Sequence, residues 1–336
     1  MIPVINSAWE SDDDQDWSLA LRQAFRSSKD LLAALGTDHP NVSESDNFPI
    51  LVPRRFAQRI IPGDPQDPIL LQVLGTQAEQ HNTPGFSIDP LMEHGLNTSD
   101  QHSSLIQKYQ GRVLLITTAG CAVHCRYCFR RHFPYSSHQD RQYEQAIQQI
   151  QQDSSISEVI LSGGDPLILT DQALHGLLSK VRNIPHIKRI RIHSRVPVVL
   201  PQRITDELVN LLWDETMPTT LVVHVNHPQE LDTQTANVFG KLKDRGIWLL
   251  NQAVIFKKIN DSVEVQVALA EKLFNQGVLP YYLHLPDRVA NTGHFYIDRE
   301  SAVNIYHKMQ AQLPGYLLPK LVEELPGASS KTQVHQ

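Results

Sequence analysis

The chain has 336 residues, of which 41% are hydrophobic and 20% charged, the composition of a folded globular protein and not of a disordered or fibrous one. Thirty Lys and Arg against 36 Asp and Glu give a formal net charge of -6, which argues against a broad electrostatic grip on nucleic acid. No apolar run approaches the ~18 residues of a membrane span, and the acidic start from Met1 to Asp14 lacks an export signal's basic and apolar pattern, so a cytoplasmic, unanchored protein is expected.

The first hundred residues read as short helices and loops. Trp17 to Leu35 has helical spacing through Leu19, Leu21, Phe25, Leu31, Leu32 and Leu35, and five prolines punctuate Phe48 to Pro68. From Arg112 the pattern becomes an alternation of aliphatic runs and amphipathic stretches. Strands are expected near Val113 to Thr117, Glu158 to Leu161, Arg189 to His193, Leu221 to Val225, Ile247 to Ala253 and Leu279 to Leu283. Helices are expected near Tyr143 to Gln151, Asp171 to Val181, Asp206 to Trp213, Asp232 to Arg245, Val263 to Gln276 and Arg299 to Gln312. Six βα units in a row predict an α/β fold with a parallel sheet, and a doubly wound sheet fits the alternation as well as a barrel does. The unusual residues favour the barrel, because they fall at strand C-terminal ends: the cysteine loop, Gly163-Gly164-Asp165, Ser194-Arg195, His224, Asn251-Gln252 and His284. The expected organisation is an N-terminal helical accessory region (1–107), a barrel (108–312) and a C-terminal segment (313–336). Its polar tail after Pro326 is either frayed or a loop that orders on a ligand.

All three cysteines, Cys121, Cys125 and Cys128, stand in one eight-residue stretch with the spacing C-x3-C-x2-C. An odd number in a reducing compartment argues for a metal site or a catalytic thiol over a disulfide framework. Zinc would need a fourth ligand, for which His124 and His132 are the local candidates. A [4Fe-4S] cluster with one iron open to a small molecule uses three thiolates as they stand.

This spacing, with Tyr127 just before the last cysteine, resembles the radical S-adenosylmethionine (SAM) superfamily. Leu161-Ser-Gly-Gly-Asp-Pro166 is similar to the glycine-rich motif which that superfamily places beside the cofactor's methionine amino group. Further stretches resemble the lysine 2,3-aminomutase family: Lys108-Tyr109, Arg112-Val-Leu-Leu-Ile-Thr117, Cys128-Phe-Arg-Arg-His132, Arg191 to Thr205, His224-Val-Asn-His-Pro228, Asn251-Gln252 and Pro326-Gly-Ala-Ser-Ser-Lys331. The resemblance implies a partial (βα)6 TIM-like barrel that uses a [4Fe-4S] cluster, SAM and pyridoxal 5'-phosphate (PLP). It implies the cluster on Cys121, Cys125 and Cys128, and SAM or PLP contacts from Tyr109, Arg112, Tyr127, Ser162, Gly163, Gly164, Asp165, His224 and Gln252. Lys331, a plain tail lysine by its own sequence context, matches the residue that holds PLP covalently, and Arg130 matches the arginine that grips the substrate carboxylate.

Two departures qualify the match. The family recognises the lysine ε-ammonium with two aspartates, and His284 and Glu324 are aligned to them here. Longer members also continue into a cysteine-bearing zinc segment, which this chain is expected to lack. The short form resembles the bacterial branch that supplies (R)-β-lysine to translation elongation factor P through a lysine-attaching ligase. The partners so implied are L-lysine, that factor and ligase, and an electron donor of the reductase or flavodoxin type. The expected reaction is reductive cleavage of SAM to a 5'-deoxyadenosyl radical, which takes hydrogen from C3 of lysine. The alternatives are an aminomutase for another amino acid and a non-catalytic zinc or iron-sulfur regulatory protein.

Overall fold

The computed structural model describes residues 16–43, 48–93, 104–135 and 143–334; the acidic start lies outside them. Nine strands form one sheet in chain order: β1 (Leu105–Tyr109), β2 (Arg112–Thr118), β3 (Glu158–Gly163), β4 (Arg189–Ser194), β5 (Thr219–Val223), β6 (Trp248–Val254), β7 (Leu279–His284), β8 (Lys320–Glu323) and β9 (Thr332–Gln333). β2 to β8 run parallel, while β1 and β9 pair antiparallel at the two ends of the order, which do not pair with each other. The result is an open, partial TIM-like barrel with one more parallel strand than the six βα units predict.

The helices are α1 (Trp17–Arg22), α2 (Ser28–Leu35), α3 (Arg54–Ala57), α4 (Pro68–Val73), α5 (Glu144–Gln152), α6 (Asp171–Arg182), α7 (Val196–Val199), α8 (Asp206–Leu212), α9 (Thr233–Asp244), α10 (Val263–Asn275) and α11 (Arg299–Gln312). Five of them in the barrel start where a side chain satisfies an orphan amide: Thr170 caps α6, Thr205 α8, Asp232 α9, Ser262 α10 and Asp298 α11. Among the described residues no helix is long and apolar enough to cross a membrane.

Strand alternation divides the labour. Val113, Leu115, Val159, Leu161, Ile190, Ile192, Leu221 and Val223 join the main hydrophobic core. Their neighbours Ile160, Ser162, Arg191, His193, Val222, His224, Gln252, Tyr282 and His284 face a cavity inside the sheet. Inward residues of closed barrels are mostly branched aliphatics that fill the interior. Here histidines, Gln252 and Arg191 take those places, and the interior stays open.

Three sequence expectations change. The helical stretch Trp17 to Leu35 is broken, because Phe25 pairs with Val52 through two backbone hydrogen bonds of 2.8 and 3.0 Å, after which Ser27 caps a new helix. The boundary at 107/108 falls inside β1, which turns into β2 through Gln110-Gly111, with Gly111 at φ 77° in the left-handed region that glycine enters without strain. The C-terminal segment is tied into the sheet rather than separate from it, because β8 and β9 form a hairpin in the register Val322↔Gln333 and Glu323↔Thr332. Residues 327–331, the first part of the polar tail, lie in the loop of that hairpin.

Candidate active site

The cavity, of ≈ 330 Å³, opens at the C-terminal ends of the parallel strands. Every residue that the resemblance assigns to cluster, cofactor or substrate lines it: Cys121, Cys125, Cys128, Tyr127, Arg130, Tyr109, Arg112, Ser162, Gly163, Gly164, Asp165, His224, Gln252, His284, Glu324 and Lys331, whereas His124, His132 and Asn251 do not.

The cysteine loop follows β2 and is bolted to the N-terminal layer. Arg126 donates from Nε to Glu79 Oε1 at 2.7 Å, and Arg131 donates from Nη2 to Glu79 Oε2 at 2.8 Å. The loop also meets the end of β3: Gly164 N donates to Thr118 O at 2.6 Å and Asp165 N to Gly120 O at 2.7 Å. A Cβ on Gly164 would stand 2.0 Å from Gly120 O, so this glycine is required by the close approach of two backbones. The Asp165 carboxylate accepts from Ser194 Oγ and from the amides of Leu167, Arg195 and Val196. Burial raises its pKa to about 6 against those bonds.

Burial, with the neighbouring sulfurs, raises the Cys121 thiol well above its ordinary range and the Cys128 thiol to about 11. Such thiols become ligands when a metal centre supplies positive charge. Arg195 Nη1 lies 2.7 Å from Cys125 Sγ and is anchored by Gln72 (2.8 Å) and Glu230 (2.9 Å) through Nη2. Neither local histidine joins the thiols. The Nδ1 of His124 lies 2.8 Å from Pro49 O, and the Nε2 of His132 lies 2.9 Å from Asn291 Oδ1. Among the described residues no three His, Cys, Asp or Glu side chains are grouped to hold a single metal ion. Three thiols on separate irons of a cluster need no common centre, and the loop fits that group.

The other end of the cavity is a chain of alternating charges. Lys331 Nζ donates to Glu324 Oε2 at 2.7 Å, Lys108 Nζ reaches Glu324 Oε1 at 2.7 Å and Glu93 Oε1 at 2.9 Å, and Arg130 Nε donates to Glu93 Oε2 at 2.8 Å. Burial opposes the charge on Glu324, but Lys331 and Lys108 outweigh it and hold the carboxyl well below its ordinary range. The hairpin between β8 and β9 brings Lys331 back onto Glu324. The hairpin between β1 and β2 places Arg112 over the Tyr109 ring, 4.7 Å from its centroid. Burial and the Glu324 charge keep Tyr109 protonated.

Sequence reasoning missed Glu93, Lys108 and His193 as site residues. Asp287 lines the cavity, and burial together with the Glu324 charge raises its carboxyl to about 7. His284, aligned to a family aspartate, is held neutral by burial and by the Lys331 charge, with its Nε2 buried and without a hydrogen-bond partner. His193 has the same character and an equally unpartnered Nε2. Buried imidazole nitrogens aimed into a cavity with a lysine amine suit a polar aromatic ligand such as PLP, and the residues present fit that group.

With this geometry in place, relatives are informative. Residues 115–266 match the radical SAM superfamily. Over 326 residues the chain is 42% identical to the L-lysine 2,3-aminomutase of Haemophilus influenzae, covering 95% of this chain and 96% of that one. The chain belongs to the lysine 2,3-aminomutase family. It is also 41% identical to the L-lysine 2,3-aminomutase of Escherichia coli, over 95% of this chain and 94% of that one. With the Clostridium subterminale enzyme of the same name it shares 37% identity over 83% of this chain but only 67% of the longer relative. As an aminomutase-family barrel it carries both expected ends, the three-thiol loop and Lys331, in one cavity.

Proposed function

We propose that this protein is a radical aminomutase that moves the α-amino group of L-lysine to C3, giving (R)-β-lysine. The observation that carries the reading is that the three-thiol loop and the Lys331 amine face the same cavity. When bound, cluster and SAM supply a carbon-centred radical able to take hydrogen from an unactivated C–H bond, and PLP supplies a covalent carrier for the migrating amino group.

The residues of this chain do the rest. Cys121, Cys125 and Cys128 hold the cluster, and the backbones of Gly163 and Gly164 wall the adjacent space. Lys331 holds PLP, with Tyr109, Arg112 and Lys108 at its anionic end. Arg130 takes the substrate carboxylate, and Glu324 with Asp287 takes the ε-ammonium. Asp287 supplies the second acid that the alignment of His284 left wanting, which removes the reason to prefer another amino acid. The walls of the cavity keep water from the reacting atoms. The near full-length match to the Haemophilus and Escherichia relatives supports the short-branch role, in which cytoplasmic β-lysine passes through a ligase to elongation factor P. The electron would come from a reductase or flavodoxin-type donor.

Anaerobic incubation with SAM, PLP, dithionite and L-lysine, followed by chiral analysis, is expected to yield (R)-β-lysine. Borohydride treatment of the same enzyme should fix PLP to Lys331. Absence of β-lysine with a filled cluster, or PLP fixed to another lysine, would overturn the proposal.

A further inference from the structure

The buried Glu93 has no part in the reading above, yet it holds Arg130 through two hydrogen bonds. Its Oε2 accepts from Arg130 Nε at 2.8 Å and its Oε1 from Arg130 Nη2 at 3.1 Å, with side-chain exposures of 6% and 4%. Ser162 Oγ accepts from Arg130 Nη1 at 3.2 Å. Lys108 Nζ, 2.9 Å from Glu93 Oε1, ties the carboxylate to Glu324. The Glu93 backbone is itself fixed, its amide donating to Asp89 Oδ1 at 2.8 Å.

A guanidinium carries five N–H groups, and these bonds commit three, leaving one on each terminal nitrogen. Two parallel N–H groups on that terminal edge match the two oxygens of a carboxylate. We propose that Glu93 is a positioning residue for the amino-acid end of the site: it clamps the side edge of Arg130 and thereby aims the terminal edge at the substrate carboxylate. The inference rests on the reading that Arg130 meets that carboxylate. Lacking the clamp, a buried guanidinium with one weak neutral partner turns toward whatever anion or water it can reach, and the two free N–H groups lose their common direction.

The test compares L-lysine with 1,5-diaminopentane, which is lysine without its carboxylate, by calorimetric titration of the cluster-loaded enzyme with PLP and without SAM, so that no turnover occurs. Glu93→Gln is expected to weaken L-lysine on the order of tenfold or more while leaving the diamine unchanged. Glu93→Asp, which keeps the charge but draws it back by one methylene, should fall between and serves if the glutamine variant does not fold. Equal weakening of both ligands, which a merely structural role would give, overturns the proposal. So does unchanged lysine binding. Tighter lysine binding does the same, because Glu93 would then be a competitor for Arg130. Arg130→Gln separates the two layers of the argument: if it leaves L-lysine binding unaltered, the role of Arg130 falls first, whereas selective loss there without selective loss in Glu93→Gln removes only the positioning role.

Discussion

At one end of the cavity three cysteines within eight residues face inward from a single loop. At the other, Glu93, Lys108, Arg130, Asp287, Glu324 and Lys331 come from five separate stretches of chain. The first end is held by its surroundings: Glu79 grips two arginines of the loop, and Gly164 lets two backbones touch. The second is held by its own charges, each cation lying between two anions or at the end of the row. The thiols give one kind of ligand to one kind of group, so losing any one is fatal. Charges in a row share their partners, so losing one is graded.

That contrast makes the largest expected effect the loss of a thiol. Cys125→Ala should abolish the visible iron-sulfur absorbance after anaerobic reconstitution and reduce SAM cleavage to background, because the chain has only three cysteines. A variant that retained both would show that the loop does not carry the cluster.

The smaller effect sharpens the other end. Asp287 has its carboxyl raised to about 7, so it is neutral below that pH and an anion above it. Glu324 is held low and stays ionised throughout, and the lysine ε-ammonium stays protonated to about pH 10. The kcat/KM for lysine should therefore rise between about pH 6 and about pH 8 as Asp287 ionises. Asp287→Asn should flatten that rise and cost about tenfold at its upper end, which is about 1.4 kcal/mol. An unchanged pH profile in the variant would remove Asp287 from ammonium recognition.

The two ends also differ in how far they could be read in advance. C-x3-C-x2-C is a local pattern, and the glycine motif at the end of the next strand adds to it, so the cluster end was legible without coordinates. The six parallel strands β2 to β7 were legible for the same reason, since each is a short aliphatic run followed by an amphipathic stretch. β1, β8 and β9 were not, because Leu105–Tyr109, Lys320–Glu323 and Thr332–Gln333 are short runs of mixed polarity that are defined by their pairing. The charged row was beyond local reasoning. Lys108 and Glu324 stand 216 residues apart, and Glu93 and Arg130 37 apart, so no window contains both members of either pair. Lys331 was found through family resemblance alone, and what turns it toward Glu324 is a hairpin that only the folded chain reveals. Asp287 lies three residues beyond His284, past the end of β7, where strand alternation no longer says which side chain faces inward.

The central claim is that the two ends act on one molecule of lysine in one cavity. Enzyme supplied with L-lysine deuterated at C3, together with SAM, PLP and dithionite under anaerobic conditions, tests it by mass analysis of the 5'-deoxyadenosine formed. The account predicts deuterium in that deoxyadenosine and its return into the β-lysine product. Deoxyadenosine that forms in the presence of labelled lysine but never carries the label would contradict it.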